Sequence, residues 1–299
     1  MEELARRILE LSQPLKPEPT TISARLASLP GIRAVLFDVY GTLFISGSGD
    51  VGTAGKTDRI TAFSEAFAAL GIQAQCRSRK LARRGTDLVM EAIEHFHRLR
   101  RSQGVDYPEV DILEIWRDVY VKLQQENLIE APVVVSNEFL MKLAVDYECR
   151  INPVWPMPGL KRVLAYLVSR GMNLGIVSNA QFYTPLLFSA FLEDNHAEIG
   201  FCDTFCAWSY QSLEAKPSIH LFEHALDSLE REAGIKPSET LYLGNDLLND
   251  IWPAAELGMK TALFAGDRRS LRLRENDARC AHVQPDLVIT ELMQLVRCI

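Results

Sequence analysis

The sequence is short of every feature that would mark a specialised class. Its 299 residues include only 6 cysteines, spread along the chain except for Cys202 and Cys206. A chain of this length can bury a large core without disulfide staples. The stretch Cys202-Asp-Thr-Phe-Cys206 lacks the two-residue gap, and the second Cys or His pair, of a zinc site. The cysteines therefore read as reduced core thiols of a cytoplasmic protein. Basic charge is not in excess either, with 32 Lys and Arg against 39 Asp and Glu, a net of −7. That excludes the basic footprint needed to hold nucleic acid or an anionic membrane surface. No apolar run approaches the roughly 18 residues of a membrane-spanning helix. The opening MEELARRILELSQPL scatters charge among its apolar positions, unlike a signal peptide. Repeats and low-complexity tracts are lacking, which removes fibrous and disordered classes. What remains, 47% hydrophobic and 24% charged, is an ordinary globular protein. Its partner is expected to be a small molecule, and nothing in the pattern signals an oligomer.

Five short apolar runs carry the organisation. Arg33–Asp38 is continuous in apolar residues and ends in a carboxylate, as a parallel strand buried on both faces does. Asn173–Ser178 and Thr240–Gly244 repeat the shape, and Lys260–Phe264 and Pro285–Ile289 do so more weakly. Helical patterns stand between them: Leu160, Val163, Leu164 and Leu167 form one face, with Gly171 as its stop. Alternation of this kind predicts an α/β protein with a doubly wound parallel sheet. Residues 49–152 break it, reading as four or five helices (Ile60–Leu70, Leu88–Arg101, Pro108–Leu123 and Glu138–Tyr147). The expected division is an N-terminal helical extension over 1–32, an α/β core over 33–48 and 153–299, and a helical cap over 49–152. The extension is expected to hold two short helices around Pro14, Pro17 and Pro19.

Open α/β sheets bind ligands beyond the carboxyl ends of their strands. The polar residues found there are Asp38 with Tyr40 and Thr42, Ser178 with Asn179, Lys216, and Asn245, Asp246, Asn249 and Asp250. A strand-end carboxylate alone is more often a cap than a catalyst, but this company has a common chemistry. A carboxylate can act as covalent nucleophile, neighbouring acidic groups can hold Mg²⁺, and lysine can pin nucleophile and anionic substrate together. Ser178, Asn179 and Thr42 can hydrogen-bond the oxygens of a transferring group.

Phe37-Asp-Val-Tyr-Gly-Thr-Leu43, Val177-Ser-Asn179, Lys216-Pro217 and Gly244-Asn-Asp-Leu-Leu-Asn-Asp250 follow one another in order. Together they resemble the four motifs of the haloacid dehalogenase (HAD) superfamily. Met157-Pro-Gly159 and Tyr107–Trp116 are similar to stretches of its members with a helical cap. The resemblance spans about residues 33–290 and implies a HAD-like Rossmannoid core with an inserted α-helical cap. It implies that Asp38 is the nucleophile, that Ser178 binds substrate oxygens and that Lys216 fixes the nucleophile's charge. The Tyr40 carbonyl and an acidic residue of the 245–250 loop would face Mg²⁺ beside Asp38, with Asn245, Asp246 and Asp250 as candidates.

Two departures pull in opposite directions. The superfamily's phosphatases usually carry a second Asp two residues after the nucleophile, as general acid and base. Tyr40 stands there instead, as in 2-haloacid dehalogenases, whose halide leaves without a proton and which need no metal. Yet Asp246 and Asp250 are retained, which suits a cation, although Asn245 occupies the place of the usual first Asp. The leading expectation is a Mg²⁺-dependent hydrolase acting on a small anion, a phosphate ester with a good leaving group. The alternatives are a metal-independent 2-haloacid dehalogenase and a catalytically retired binding protein.

Other conspicuous residues have plainer readings. Gly49–Thr57 nearly spells a phosphate-binding loop, but Asp50 replaces the required Gly, so a hinge is expected. His95 and His97 point to different faces of one helix, and Arg98, Arg100 and Arg101 complement that helix's C-terminus. Trp116, Tyr120 and Phe139 read as cap core, and Trp252 as packing.

Overall fold

The structure, a computed structural model, describes residues 1–49, 55–130 and 135–299. Residues 50–54, the middle of the expected hinge, lie outside the described residues. After α1 (Glu2–Leu11) come β1 (Ala34–Phe37) and β2 (Phe44–Ser46), then four helices. These are α2 (Lys56–Ala69), α3 (Ser78–Ser102), α4 (Ile112–Gln125) and α5 (Asn137–Ile151). The chain returns through β3 (Val154–Pro156), α6 (Leu160–Ser169), β4 (Asn173–Ser178), α7 (Leu186–Leu192) and β5 (Phe201–Trp208). A single turn, α8 (Ser209–Ser212), precedes α9 (His220–Ala233), β6 (Thr240–Gly244), α10 (Trp252–Glu256), β7 (Lys260–Phe264) and β8 (Leu287–Ile289).

Six strands form one parallel sheet in the order β5-β4-β1-β6-β7-β8. The chain leaves β1 for β4 on one side and comes back to β6 on the other. Such a reversal opens a crevice at the carboxyl ends of the central strands. Phe37 aligns with Ile176 of β4 and Leu243 of β6, so Asp38, Ser178 and the loop after Gly244 emerge at one level. All four residues of β1 are fully buried, as expected for a strand with helices on both faces.

The helices between β2 and β3 have an aromatic core of their own. Phe63 and Phe67 stack at 4.0 Å, and Trp116 meets Tyr147 edge-on at 5.0 Å. Asp111 and Ser136 cap α4 and α5, accepting from the Leu113 and Phe139 amides. Helix α1 packs on α5 and α7, and the Arg7 guanidinium grips buried Asp146 with two 2.9 Å bonds.

Four points of the sequence reading need correction. No second helix forms before β1; instead Arg25 pairs with Val288 and covers the outer edge of β8, whose backbone groups need partners. The strand Phe201–Trp208 went unread because exposed Asp203 and Thr204 interrupt its apolar run at the sheet edge. The antiparallel pair β2–β3 is three residues long on each side, too short for a periodic signal. All six cysteines are free, but Cys76, Cys149 and Cys202 are only half-buried rather than core.

Candidate active site

Asp38 follows β1 directly, its amide donating to Leu243 O of β6 at 2.9 Å. Its carboxylate is nearly buried, and one oxygen, Oδ1, accepts from Ser178 Oγ (2.9 Å) and Lys216 Nζ (2.8 Å). The lysine uses its remaining protons on Asp250 Oδ1 (2.5 Å) and the Tyr242 hydroxyl (3.1 Å). Burial works against the Lys216 charge, but Asp250 and Asp38 together outweigh it and hold its pKa above the usual lysine value. Burial likewise pushes the Asp250 carboxyl up to about 6, with Lys216 pulling it back and Asp38 adding to the rise. Asp250 Oδ2 accepts the amides of Asn245 and Asp246, both at 2.9 Å. This is a single buried network in which one cation serves two carboxylates.

The loop after β6 has an unusual turn. Residues Leu247–Ile251 form a π-helical turn, where the Ile251 amide reaches back five residues to Asp246 O. That turn carries Asp250 under Gly244, where a Cβ would lie 2.4 Å from the Asp250 carboxyl carbon. Glycine is required there by close approach. Gly41 is held at φ +79°, and a Cβ there would strike Ser270 and the Asn245 amide.

The expected site residues divide into two groups. Asp38, Ser178, Lys216 and Asp250 are joined by the bonds above. Asn179 lies beside them, but its Oδ1 accepts from the Lys216 backbone amide at 2.8 Å, so it positions the lysine. Thr42 is fully buried and donates to Asn245 Oδ1 (3.1 Å), while Asn245 Nδ2 donates to Ser270 O (2.7 Å). Tyr40 does not present its hydroxyl to Asp38. It lies buried, 3.1 Å from Thr184 Oγ1, and burial pushes its pKa well above the usual tyrosine value.

Sequence reasoning missed Tyr242 and Arg274. Tyr242 could have been found, since alternation along Thr240–Gly244 turns it to the same face as the strand's ends; its hydroxyl donates to Val177 O at 2.7 Å. Arg274 carries no motif signal. It sits across Asp246, with Nε 3.0 and 3.1 Å from the two oxygens and Nη2 2.5 Å from Oδ2. Asp246 Oδ1 also caps the turn, accepting the Leu248 and Asn249 amides.

A divalent ion would have to bind among these residues. A space of about 20 Å³, room for about one water, is bounded by Asp38, Tyr40, Asn179, Lys216, Asn245, Asp246, Asn249 and Asp250. Of the three carboxylates around it, Asp250 is committed to Lys216 and two amides, and Asp246 to Arg274 and two amides. The donors as placed do not fit the ligand set expected from the sequence.

A family model described as a haloacid dehalogenase-like hydrolase matches residues 32–258. The chain belongs to this family. No curated protein matches the sequence. Among solved structures, the 2-haloacid dehalogenase from Pseudomonas syringae pv. Tomato DC3000 is similar at 18% identity and a TM-score of 0.53, covering 89% of this chain and 97% of that one. At that identity the likeness is one of fold. Looser likenesses include L-2-haloacid dehalogenase from Xanthobacter autotrophicus (20% identity, TM-score 0.48, 89% and 97% covered). A HAD phosphatase from Thermococcus onnurineus is similar to the same degree (18%, TM-score 0.47, 89% and 97% covered). The protein is thus a HAD-like hydrolase with a six-stranded parallel core, and among the described residues no helix is long and apolar enough to cross a membrane.

Proposed function

We propose that this HAD-like hydrolase works by covalent displacement from Asp38 on small organic anions whose leaving group departs without a proton. The observation that carries this reading is the orientation of Tyr40. A general acid must reach the leaving atom, whereas the Tyr40 hydroxyl is held at Thr184 and its proton is bound more tightly than in water. Halide on the carbon next to a carboxylate meets the requirement fully. The Asp38 carboxylate would attack that carbon, and the carbon–halogen bond would break with its electron pair leaving as halide. Water would then hydrolyse the aspartyl ester, releasing the 2-hydroxy acid and one proton to solvent and restoring Asp38. Lys216 and Ser178 fix the attacking group by holding Oδ1. The helices between β2 and β3 act as the cap over this crevice.

The expected Mg²⁺-dependent phosphate esterase would need Asp246 or Asp250 released from its present partners, so no step is drawn through a metal. Lys216 and Arg274 already offset two of the three carboxylate charges here, which supports the metal-free reading.

The test is to incubate the protein with 2-chloropropionate and with 4-nitrophenyl phosphate, each with and without Mg²⁺, beside Asp38→Asn. Chloride release that ignores Mg²⁺ and drops about 10³-fold or more in Asp38→Asn is the expected result. Mg²⁺-dependent phosphate release would keep Asp38 as nucleophile and overturn the choice of halide. Activity that survives in Asp38→Asn would overturn both.

A further inference from the structure

The residues before β1 lie almost wholly outside the family match, which begins at residue 32. Their second half is fastened to the core. Lys16 O accepts from Arg269 Nη2 (2.7 Å), Thr20 Oγ1 donates to Ala265 O (2.7 Å), Arg25 pairs with Val288, and the Leu29 amide donates to Cys298 O (2.7 Å). The first half, α1, is placed differently. Among the described helices and strands, it is the one that packs broadly on both an inserted helix, α5, and a core helix, α7. Gln13, Pro14 and Leu15 alone separate its end at Ser12 from the anchored Lys16, so that end stays within about 14 Å of Lys16.

Leu4, Ala5 and Ile8 form the buried face of α1. Ile8 lies where core, hinge and inserted helices meet. With Tyr40, Tyr183, Leu187 of α7, Cys149 of α5 and Val154 of β3 it lines a void of about 10 Å³, room for one water at most. The two sides of α1 differ in chemistry. Helix α7 carries no charged residue. Among the described residues, the ion pairs of α1 with other elements both run to α5: Arg7 to Asp146, and Glu3 Oε1 to Lys142 Nζ at 2.9 Å. Asp146 is nearly buried, yet Arg150, one turn along α5, also donates to its Oδ1 at 3.0 Å. If Arg7 withdraws, Asp146 keeps a cation from its own helix, and no buried charge is stranded. The join between α1 and α5 can therefore part cleanly.

We propose that the N-terminal segment is a detachable clasp on the inserted helices. Residues 16–29 anchor it to the core, α1 rests on α7, and the Arg7–Asp146 pair holds α5 and its neighbours down. Release lets the inserted helices turn about β2 and β3, the ribbon through which they join the core. The Asp38 reading enters only in what the opening serves, the entry of substrate and the exit of product.

The motion can be measured in the full chain without any substrate. Nitroxides carried on a ketone-bearing residue at exposed Gln103, just past α3, and exposed Glu230 of α9 leave the free cysteines unlabelled. Pulsed dipolar spectroscopy then reads the distance from the inserted helices to the core. Arg7→Met should raise the fraction at longer distance about five- to tenfold, a charge-assisted pair discounted for the partly exposed arginine. Raising the ionic strength from about 0.05 to about 0.5 M should raise that fraction about two- to threefold in the unmutated protein, and distinctly less in Arg7→Met. Ile8→Asp puts a charge into the void and should eject α1, making the longer distance the major one. Slow hydrogen exchange in β1 and β4 then reports that the core is intact; if Ile8→Asp unfolds, Arg7→Met decides alone. Distances unchanged in Arg7→Met, with or without a folded Ile8→Asp that agrees, would overturn the clasp. Longer distances without chloride or phosphate release by the unmutated protein would sink the Asp38 reading and leave the clasp standing. Asp38-dependent turnover with unchanged distances would do the reverse.

Discussion

Replacing Lys216 by methionine tests the network on which the site depends. The substitution keeps the volume and removes the cation that touches both Asp38 and Asp250, at 2.8 and 2.5 Å. Breaking a buried ion pair by deleting one partner costs about 3–5 kcal/mol. That is a large part of the roughly 5–15 kcal/mol by which a native protein is stable. The cost must also depend on pH. The folded pKa of Lys216 lies above its ordinary value, so its stabilisation is complete throughout the neutral range and is lost only at strongly alkaline pH. Asp250 is raised to about 6, so what its protonated form adds to stability is present in acid and lost as pH climbs through that value. Without the lysine, which pulls it down, the Asp250 carboxyl pKa rises further. The folded state then keeps protons that the unfolded chain has released, and stability falls by up to about 1.4 kcal/mol per pH unit per carboxyl.

Urea unfolding of both proteins across about pH 5 to 8 reads this directly. The gap between unmutated protein and Lys216→Met should be near the full 3–5 kcal/mol at about pH 8 and under about 2 kcal/mol at about pH 5. A gap that does not change with pH would refute the shared-cation account, whatever its size. Adding Asp250→Asn to Lys216→Met should recover part of the loss, because it removes one of the two stranded charges.

Other perturbations separate the remaining claims. Tyr40→Phe should change kcat less than about threefold and cost about 1 kcal/mol in unfolding experiments from the lost Thr184 contact; a hundredfold fall in kcat would restore Tyr40 as an acid. Arg274→Gln should create Mg²⁺ binding detectable by calorimetry and abolished by Asp246→Asn, whereas the unmutated protein should show none; Asp246-dependent Mg²⁺ binding before mutation would defeat the metal-free reading. Gly244→Ala should destabilise by about 1–3 kcal/mol, since its methyl would overlap the Asp250 carboxyl; a normal urea midpoint would mean the π-helical turn can move aside.

What could be read from the chain beforehand follows from which signals are local. The central strands are buried on both faces, so each appears as an unbroken apolar run ending in the polar residue that reaches the crevice. Asp38 and Ser178 were legible for that reason, whereas Lys216 and Asp250, which lie beyond strand ends, were legible through the ordered motifs that contain them. The edge strand Phe201–Trp208 was not, because solvent on one side admits Asp203 and Thr204 and breaks the run. The cap shows a second limit. Helical spacing correctly placed Trp116 inside, yet spacing reports only that a face is covered and cannot say whether the covered volume is filled. His97, one turn from the end of α3, was read as bland for the same reason, although it lines a cavity between the inserted helices and the core. Arg274 shows a third limit: it comes 28 residues after Asp246, in an irregular stretch where no periodicity relates the two. The acidic loop alone suggested a metal site, and the arginine that answers its charge is visible only in three dimensions. A motif states which groups are present, whereas the charge left for a ligand depends on every group that folds against it.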